Sequence, residues 1–270
     1  MPIIMLLGTA FFWSLGGLLI KSVDWHPMAI AGGRSLIAVL FLIAVTGIPR
    51  IKWSKPLVLG AIAYSTTVIL FVIGNKLTTA ANVILLQYTS PVYVALMSRA
   101  FLGERITRSD WYTIILVMCG MVLFFLDDLT TGNMIGNLCG IVSGVTFGTL
   151  ILCLRKQKDE KPETSIILGN LLTALVGIPF MFSGLPDAKG IGAIIALGVL
   201  QLGVSYLLYS KAIRHVTALQ GILVPVLEPL LNPIWVLIFI GEKPGKWAFF
   251  GGIIIIGAVV NRYIRQIKNT

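Results

Sequence analysis

Apolar residues fall along this chain in ten long runs, at 2–20, 28–46, 54–74, 80–98, 111–127, 134–153, 165–183, 190–210, 217–240 and 247–264. Each run has 17 to 24 residues. An α-helix rises 1.5 Å per residue, so each is long enough to cross a hydrocarbon core of about 30 Å. Backbone amides and carbonyls in lipid have no water to bond, which leaves only helices and closed barrels as spanning forms. Barrel strands are about ten residues long and alternate polar with apolar positions, a pattern absent from these runs. The expectation is an all-α membrane protein of ten transmembrane helices with no soluble domain. Its connectors are short, with turns at His26-Pro27, Ile48-Pro49, Lys161-Pro162 and Leu185-Pro186, and the longest is the charged stretch from Arg155 to Thr164.

The pattern also repeats. At a constant offset of 138 residues, the segment from Ala80 to Thr107 overlays the segment beginning at Ala218: Ala80 meets Ala218, Pro91 meets Pro229, and Gly103-Glu104 meets Gly241-Glu242. A weaker match at offset 132 sets Gly8, Ser14 and Gly16 against Gly140, Thr146 and Gly148. The chain therefore divides into five-helix halves at 1–128 and 134–264, with a cytoplasmic tail at 265–270. Five is odd, so the second half enters the membrane in the opposite sense. Inverted repeats of this kind build carriers whose binding site lies at the midplane between halves. Glycines at Gly32/Gly33, at Gly251/Gly252 and in the stripe Gly136, Gly140, Gly144 and Gly148 predict close helix packing.

Charge orients the chain. Only 12% of residues are Asp, Glu, Lys or Arg, against roughly 25% in soluble domains. With alternating spans, fifteen basic residues lie on the side of the N-terminus, from Arg50 to Lys268, and five on the other: Lys21, Lys76, Lys189, Lys243 and Lys246. The positive-inside rule then puts both termini in the cytoplasm. A net charge of +10 would suggest nucleic acid in a soluble protein, but here the basic residues sit between apolar runs, where lipid headgroups are the natural counter-charge. No basic segment precedes the first run and no small-residue cleavage site follows it before Lys21, so it reads as a spanning helix, not a removed signal.

Two charged residues lie deep inside the runs, away from their ends. Glu228 must pair, face a wet cavity or hold its proton. Pro225, Pro229 and Pro233 surround it, each removing a helix donor and freeing carbonyls near Glu228 and Asn232; Pro91 stands at the matching place in the first half. Two roles are open to Glu228: binding a solute ammonium, or cycling a proton. Arg34 could snorkel, pair with Glu228 or receive a solute carboxylate. Trp13, Tyr64, Tyr88 and Tyr206 lie within spans, where their rings can line a cavity or fill helix grooves. Asn82 and Gln220, equivalent under the repeat, need partners in lipid and are candidates for a symmetric lining or for paired bends.

Enzymatic chemistry has little support. The two histidines, His26 and His215, lie in connectors, and no Walker sequence, metal-ligand cluster or nucleophile motif is present. Cys119, Cys139 and Cys153 have neither metal nor disulfide spacing. We expect no cofactor and no metal.

Together these features resemble the drug/metabolite transporter superfamily and its ten-helix EamA-type members. The likeness rests on the two five-span halves, on Phe12-Trp13-Ser14 with Gly16, on Arg34, and on the Pro91 to Glu104 and Pro229 to Glu242 units. It implies a basket in which the first four helices and their inverted partners enclose a central cavity, while the fifth and tenth support the fold and offer a homodimer contact. It also implies secondary-active transport of a small polar solute across the plasma membrane of a bacterium or archaeon, by a multi-pass protein. Amino-acid or amine efflux by alternating access is the first reading and uptake of choline or another quaternary ammonium solute the second. A channel or a nonconducting scaffold is the alternative of a different class.

Overall fold

A computed structural model describes residues 1–182, 184–240 and 245–268, with the backbone alone at 232, 233, 236, 237, 239, 240 and 266–268. Among the described residues there is no strand. The first half contains α1 (Pro2–Ser22), α2 (Pro27–Thr46), α3 (Lys55–Leu77), α4 (Ala80–Leu102) and α5 (Arg108–Phe124). The second contains α6 (Met134–Lys156), α7 (Glu163–Met181), α8 (Ala188–Ile213), α9 (Ala218–Leu223, Pro225–Leu227 and Glu228–Ile240 in succession) and α10 (Lys246–Lys268). Eight are long and apolar enough to cross a membrane by composition alone; α5, with 17 residues, and the broken α9 complete the ten.

Local chemistry sets where the helices start. Proline opens α1, α2 and α3 near the first turn, where its missing N–H would have had no helical partner anyway. Ser54, Thr79, Asn133 and Asp187 accept from first-turn amides, and Thr107 with Asp110 and Thr217 with Gln220 form reciprocal capping boxes. Leu40, Ile115, Leu175 and Phe249 are among the large apolar side chains left exposed on the outside of the bundle. Such a surface suits lipid and would aggregate in water.

The halves interlock about a two-fold relation. α3 packs along α6 just as α8 packs along α1, and α3 against α7 is matched by α8 against α2. Three further pairs, α2 with α7, α4 with α9 and α5 with α10, each bring a helix onto its own repeat mate. Every such pair runs antiparallel. His26 at the start of α2 stacks on Phe180 near the end of α7, Glu104 beyond the end of α4 accepts from the Ala218 amide that opens α9, and Asp110 in the first turn of α5 pairs with Arg262 late in α10. An axis that places a helix antiparallel to its own mate makes the repeat an inverted one.

Four spans are not continuous helices, which the apolar runs did not reveal. α1 is interrupted at Ser14-Leu15, α4 at Tyr88-Thr89 and α9 between Val224 and Leu227, while α8 carries a π-helical stretch at Leu197–Val204. Adding 138 to the α4 break lands on residues 226 and 227, so the fourth helix of each half breaks at the same register. The cause is shared. Pro91 has no N–H for the Gln87 carbonyl and Pro229 has none for the Pro225 carbonyl.

The glycine stripe of α6 lies on the broken α4. A Cβ at Gly144 would stand 2.9 Å from the carbonyl oxygens of both Leu86 and Gln87, so only glycine lets α6 approach the break. Gly144→Val is therefore expected to lower stability by about 1–3 kcal/mol. Gly192→Val, at a site where a Cβ meets nothing within 4 Å, should leave it unchanged. Thermal unfolding of the detergent-solubilised protein reads the difference, and equal melting of the two variants would refute the assignment.

Candidate solute site

Where the interrupted spans meet, the bundle closes on a small cavity of about 40 Å³. A water needs about 10–15 Å³ on this scale, so the space holds a few water-sized groups. Its lining is Trp13 of α1, Arg34 of α2, Thr67, Val68 and Phe71 of α3, Gln87 of α4, Phe147 of α6, Gln201, Leu202 and Tyr206 of α8, and Glu228 of α9. Seven helices from both halves contribute. A solute larger than a few atoms requires the walls to part, and the breaks in α1, α4 and α9 lie at this level.

Arg34 is 1% exposed and does not reach either membrane face. One guanidinium nitrogen donates to Gln201 Oε1 at 3.0 Å and another to the Val68 carbonyl at 3.3 Å, while Nε has no partner. Gln201 reaches Arg34 from the π-helical stretch of α8, and Gly16 makes room for its amide, since a Cβ there would lie 3.1 Å from Gln201 Nε2. Trp13 Nε1 is a second buried donor without a partner on the same cavity.

Glu228 is 8% exposed and provides the opposite chemistry. Tyr88 Oη lies 2.5 Å from its Oε2 and 2.9 Å from the Pro225 carbonyl oxygen. The ion pairs among the described residues are Arg155–Glu104 and Arg262–Asp110, so Arg34 and Glu228 line one cavity without pairing with each other or with any other charge. A buried charge normally has a partner close by. Here an acidic and a basic group both lack one, and both face the same space.

Aromatic rings wall one side. The Trp13 ring stacks on Tyr209 at 5.4 Å and meets Tyr206 at 5.1 Å and Phe147 at 5.5 Å. Tyr206 touches Tyr64 at 4.8 Å, and Tyr64 Oη accepts from Asn170 Nδ2 at 2.8 Å. Of the residues singled out from the sequence, Trp13, Arg34, Tyr206 and Glu228 thus reach the cavity. Tyr64 and Tyr88 stand one layer behind it.

Asn82 and Gln220 lie at opposite ends of the bundle. Asn82 Nδ2 donates to the Thr130 carbonyl and to Asn137 Oδ1, and Gln220 Oε1 accepts from the Thr217 amide. Both are third residues of their helices, held by bonds that organise helix starts rather than a solute route. Pro91, Pro225 and Pro229 sit at the breaks. The side chains of Asn232 and Pro233 lie outside the described residues, as do Gly241 and Glu242 entirely. Gln87 and Gln201, further span amides that need partners in lipid, also reach the cavity. Gln87 donates to Ser143 Oγ at 2.6 Å, which turns its amide toward α6.

The end of the bundle that carries most basic residues is tied shut. Glu104 accepts from Arg155 Nε at 2.8 Å and from the Ala218 amide at 2.9 Å. Arg155 donates onward to the carbonyls of Ile213 and Arg214, and Arg214 to that of Lys158. Four spans, α4, α6, α8 and α9, meet in this knot.

Comparison with known proteins agrees with this architecture. A family model described as the EamA-like transporter family matches residues 1–126 and again 134–261. An uncharacterized transporter of Bacillus subtilis (strain 168), YwfM, is 24% identical over 92% of this chain and 91% of its own. The pseudopaline exporter CntI of Pseudomonas aeruginosa (strain UCBPP-PA14) is 25% identical over 67% of this chain and 64% of its own. Human solute carrier family 35 member G1 is 20% identical over 96% of this chain and 77% of its own. One crystal structure shares the fold with a TM-score of 0.81 at 17% identity, covering 96% of this chain and 95% of that one. With two successive family matches spanning nearly all of its length, the chain belongs to the EamA-like transporter family of the drug/metabolite transporter superfamily.

Proposed function

We propose that this protein is a secondary-active exporter of small zwitterionic metabolites of the amino-acid type, working by alternating access in exchange for a proton carried on Glu228. The observation that carries the reading is a pair of buried ionisable groups on one cavity, neither with an ionic partner among the described residues. Arg34 Nε and Trp13 Nε1 are free to donate to a carboxylate, and Glu228 can accept from an ammonium. Between turnovers, a proton on Glu228 would remove the uncompensated carboxylate, which couples solute release to proton uptake. The halves 1–128 and 134–264 would rock about their two-fold relation, with both termini in the cytoplasm and the Glu104–Arg155 knot closing the inner end. Export as the direction draws on the CntI likeness.

Choline-like transport is the second reading, favoured by the rings of Trp13, Tyr206 and Phe147 on one wall. Against it stands the Arg34 guanidinium, which would repel a permanent cation in the same small space. Counterflow in proteoliposomes with a labelled neutral amino acid separates the two. Competition should come from zwitterions at least ~10-fold more strongly than from the matching amine, the matching carboxylic acid or choline, because each of the latter leaves one buried group unpaired. Competition by choline alone would replace the first reading with the second. Flux that never saturates would make the protein a channel.

A further inference from the structure

Tyr88 holds one hydroxyl proton between two acceptors. Its oxygen lies 2.5 Å from Glu228 Oε2 and 2.9 Å from the Pro225 carbonyl oxygen, and one O–H can serve only one of them at full strength. That carbonyl is available because Pro229, four residues on, has no N–H to give it; the Glu228 amide meets it instead, in a tight 3-10 turn. The acid, the tyrosine and the broken turn of α9 therefore form one short hydrogen-bonded chain. Tyr88 is itself the residue at which α4 breaks, so this chain joins the equivalent interruptions of the two halves.

From this geometry we infer that Tyr88 is the positioning residue that converts the protonation state of Glu228 into the shape of the α9 break. With Glu228 ionised, the Tyr88 hydroxyl donates to the carboxylate and the Pro225 carbonyl loses that donor. When Glu228 takes a proton from the cavity, its new O–H donates to Tyr88 Oη. The tyrosine proton then turns to the Pro225 carbonyl and clamps α9 to α4. One proton is bound, none is lost, and the only covalent change is the new O–H bond on Glu228. The other ionisable groups facing this chain are Arg34 from α2, Tyr64 from α3, and Tyr206 and Tyr209 from α8; α1 and α6 contribute Trp13 and Phe147, which do not titrate. None of them is hydrogen-bonded to Glu228, which leaves Tyr88 as its side-chain donor among the described residues.

The inference rests on Glu228 as the proton carrier of the proposed function, and the test keeps the two apart. In proteoliposomes containing a pH dye, net solute movement down its own gradient and proton movement are measured together for the unsubstituted protein, Glu228→Gln and Tyr88→Phe. The unsubstituted protein should move protons opposite to the net solute flow and Glu228→Gln should not; if the unsubstituted protein moves none, the proton-exchange reading itself fails. Given that coupling, Tyr88→Phe should lower the proton-to-solute ratio at least twofold. It should also shift the pH profile of transport, because the carboxylate has lost its donor. An unaltered ratio and unaltered pH profile would overturn the inference while leaving Glu228 in place.

Infrared difference spectra of the unsubstituted protein between acid and alkaline pH supply a check that needs no folded variant. The carboxyl band assigned to Glu228 should titrate together with a tyrosine ring band and an amide band of the Pro225 carbonyl. A carboxyl band that titrates alone would likewise overturn it.

Discussion

Replacing Glu228 with glutamine is expected to abolish pH-gradient-driven transport, by 100-fold or more, while solute exchange at equal pH on both sides becomes insensitive to pH. Glutamine keeps the size of the protonated acid and can still bond Tyr88, so the broken turn of α9 retains its packing. What it cannot do is release a proton. The sign follows from that. If the carrier must lose the proton to accept an ammonium group, the variant resembles the unsubstituted protein held at acid pH and its exchange should stay at that low rate across the pH range. Driven flux and pH dependence that both survive in Glu228→Gln would remove this residue from the coupling step.

Arg34→Met carries the second large effect. A carboxylate bound by a guanidinium fork gains charge-assisted hydrogen bonds of about 1.5–3 kcal/mol each, so losing two of them should raise the KM for a zwitterion by roughly 100-fold or more. Stability should move little and could rise, since methionine removes a buried charge that has no ionic partner. The combination is diagnostic. If Arg34 served only to hold α3 and α8 together through Val68 and Gln201, the variant would melt at lower temperature and its KM would hold. Arg34→Lys tests shape separately, because an ammonium keeps the charge but cannot span Val68, Gln201 and a solute at once.

The spans were legible in the sequence because lipid leaves no alternative to an unbroken apolar run, and all ten appear within a few residues of their expected limits. The inverted repeat could be read for a similar reason. Prolines and the Gly-Glu turn recur at one offset, and in the structure the equivalent breaks and antiparallel mates follow from it. Glu228 and Arg34 stood out as the charged residues deep within the runs, and both face the cavity.

The uncharged polar residues were a different matter. Gln201 and Gln87 look no different in sequence from Asn82 and Gln220, yet the first two line the cavity, while Asn82 ties the start of its helix to Thr130 and Asn137 and Gln220 caps the start of α9. Direction around a helix decides this, and the π-helical stretch of α8 rotates everything beyond it away from the spacing that a regular helix would predict. One signal was available. Asn82 and Gln220 each follow a threonine by three residues, Thr79 and Thr217, the spacing of a capped helix start.

The antiparallel pairing of α2, α4 and α5 with their repeat mates has a consequence for energetics. In a carrier built this way, the inward-open form is the outward-open form with the halves exchanged, and identical halves would populate the two equally. Any resting preference must then arise where the halves disagree. Glu228 is one such place, for its counterpart at offset 138 is the hydroxyl of Ser90, so the bias between the two faces of the membrane is written in unequal pairs such as this one rather than in the fold they share.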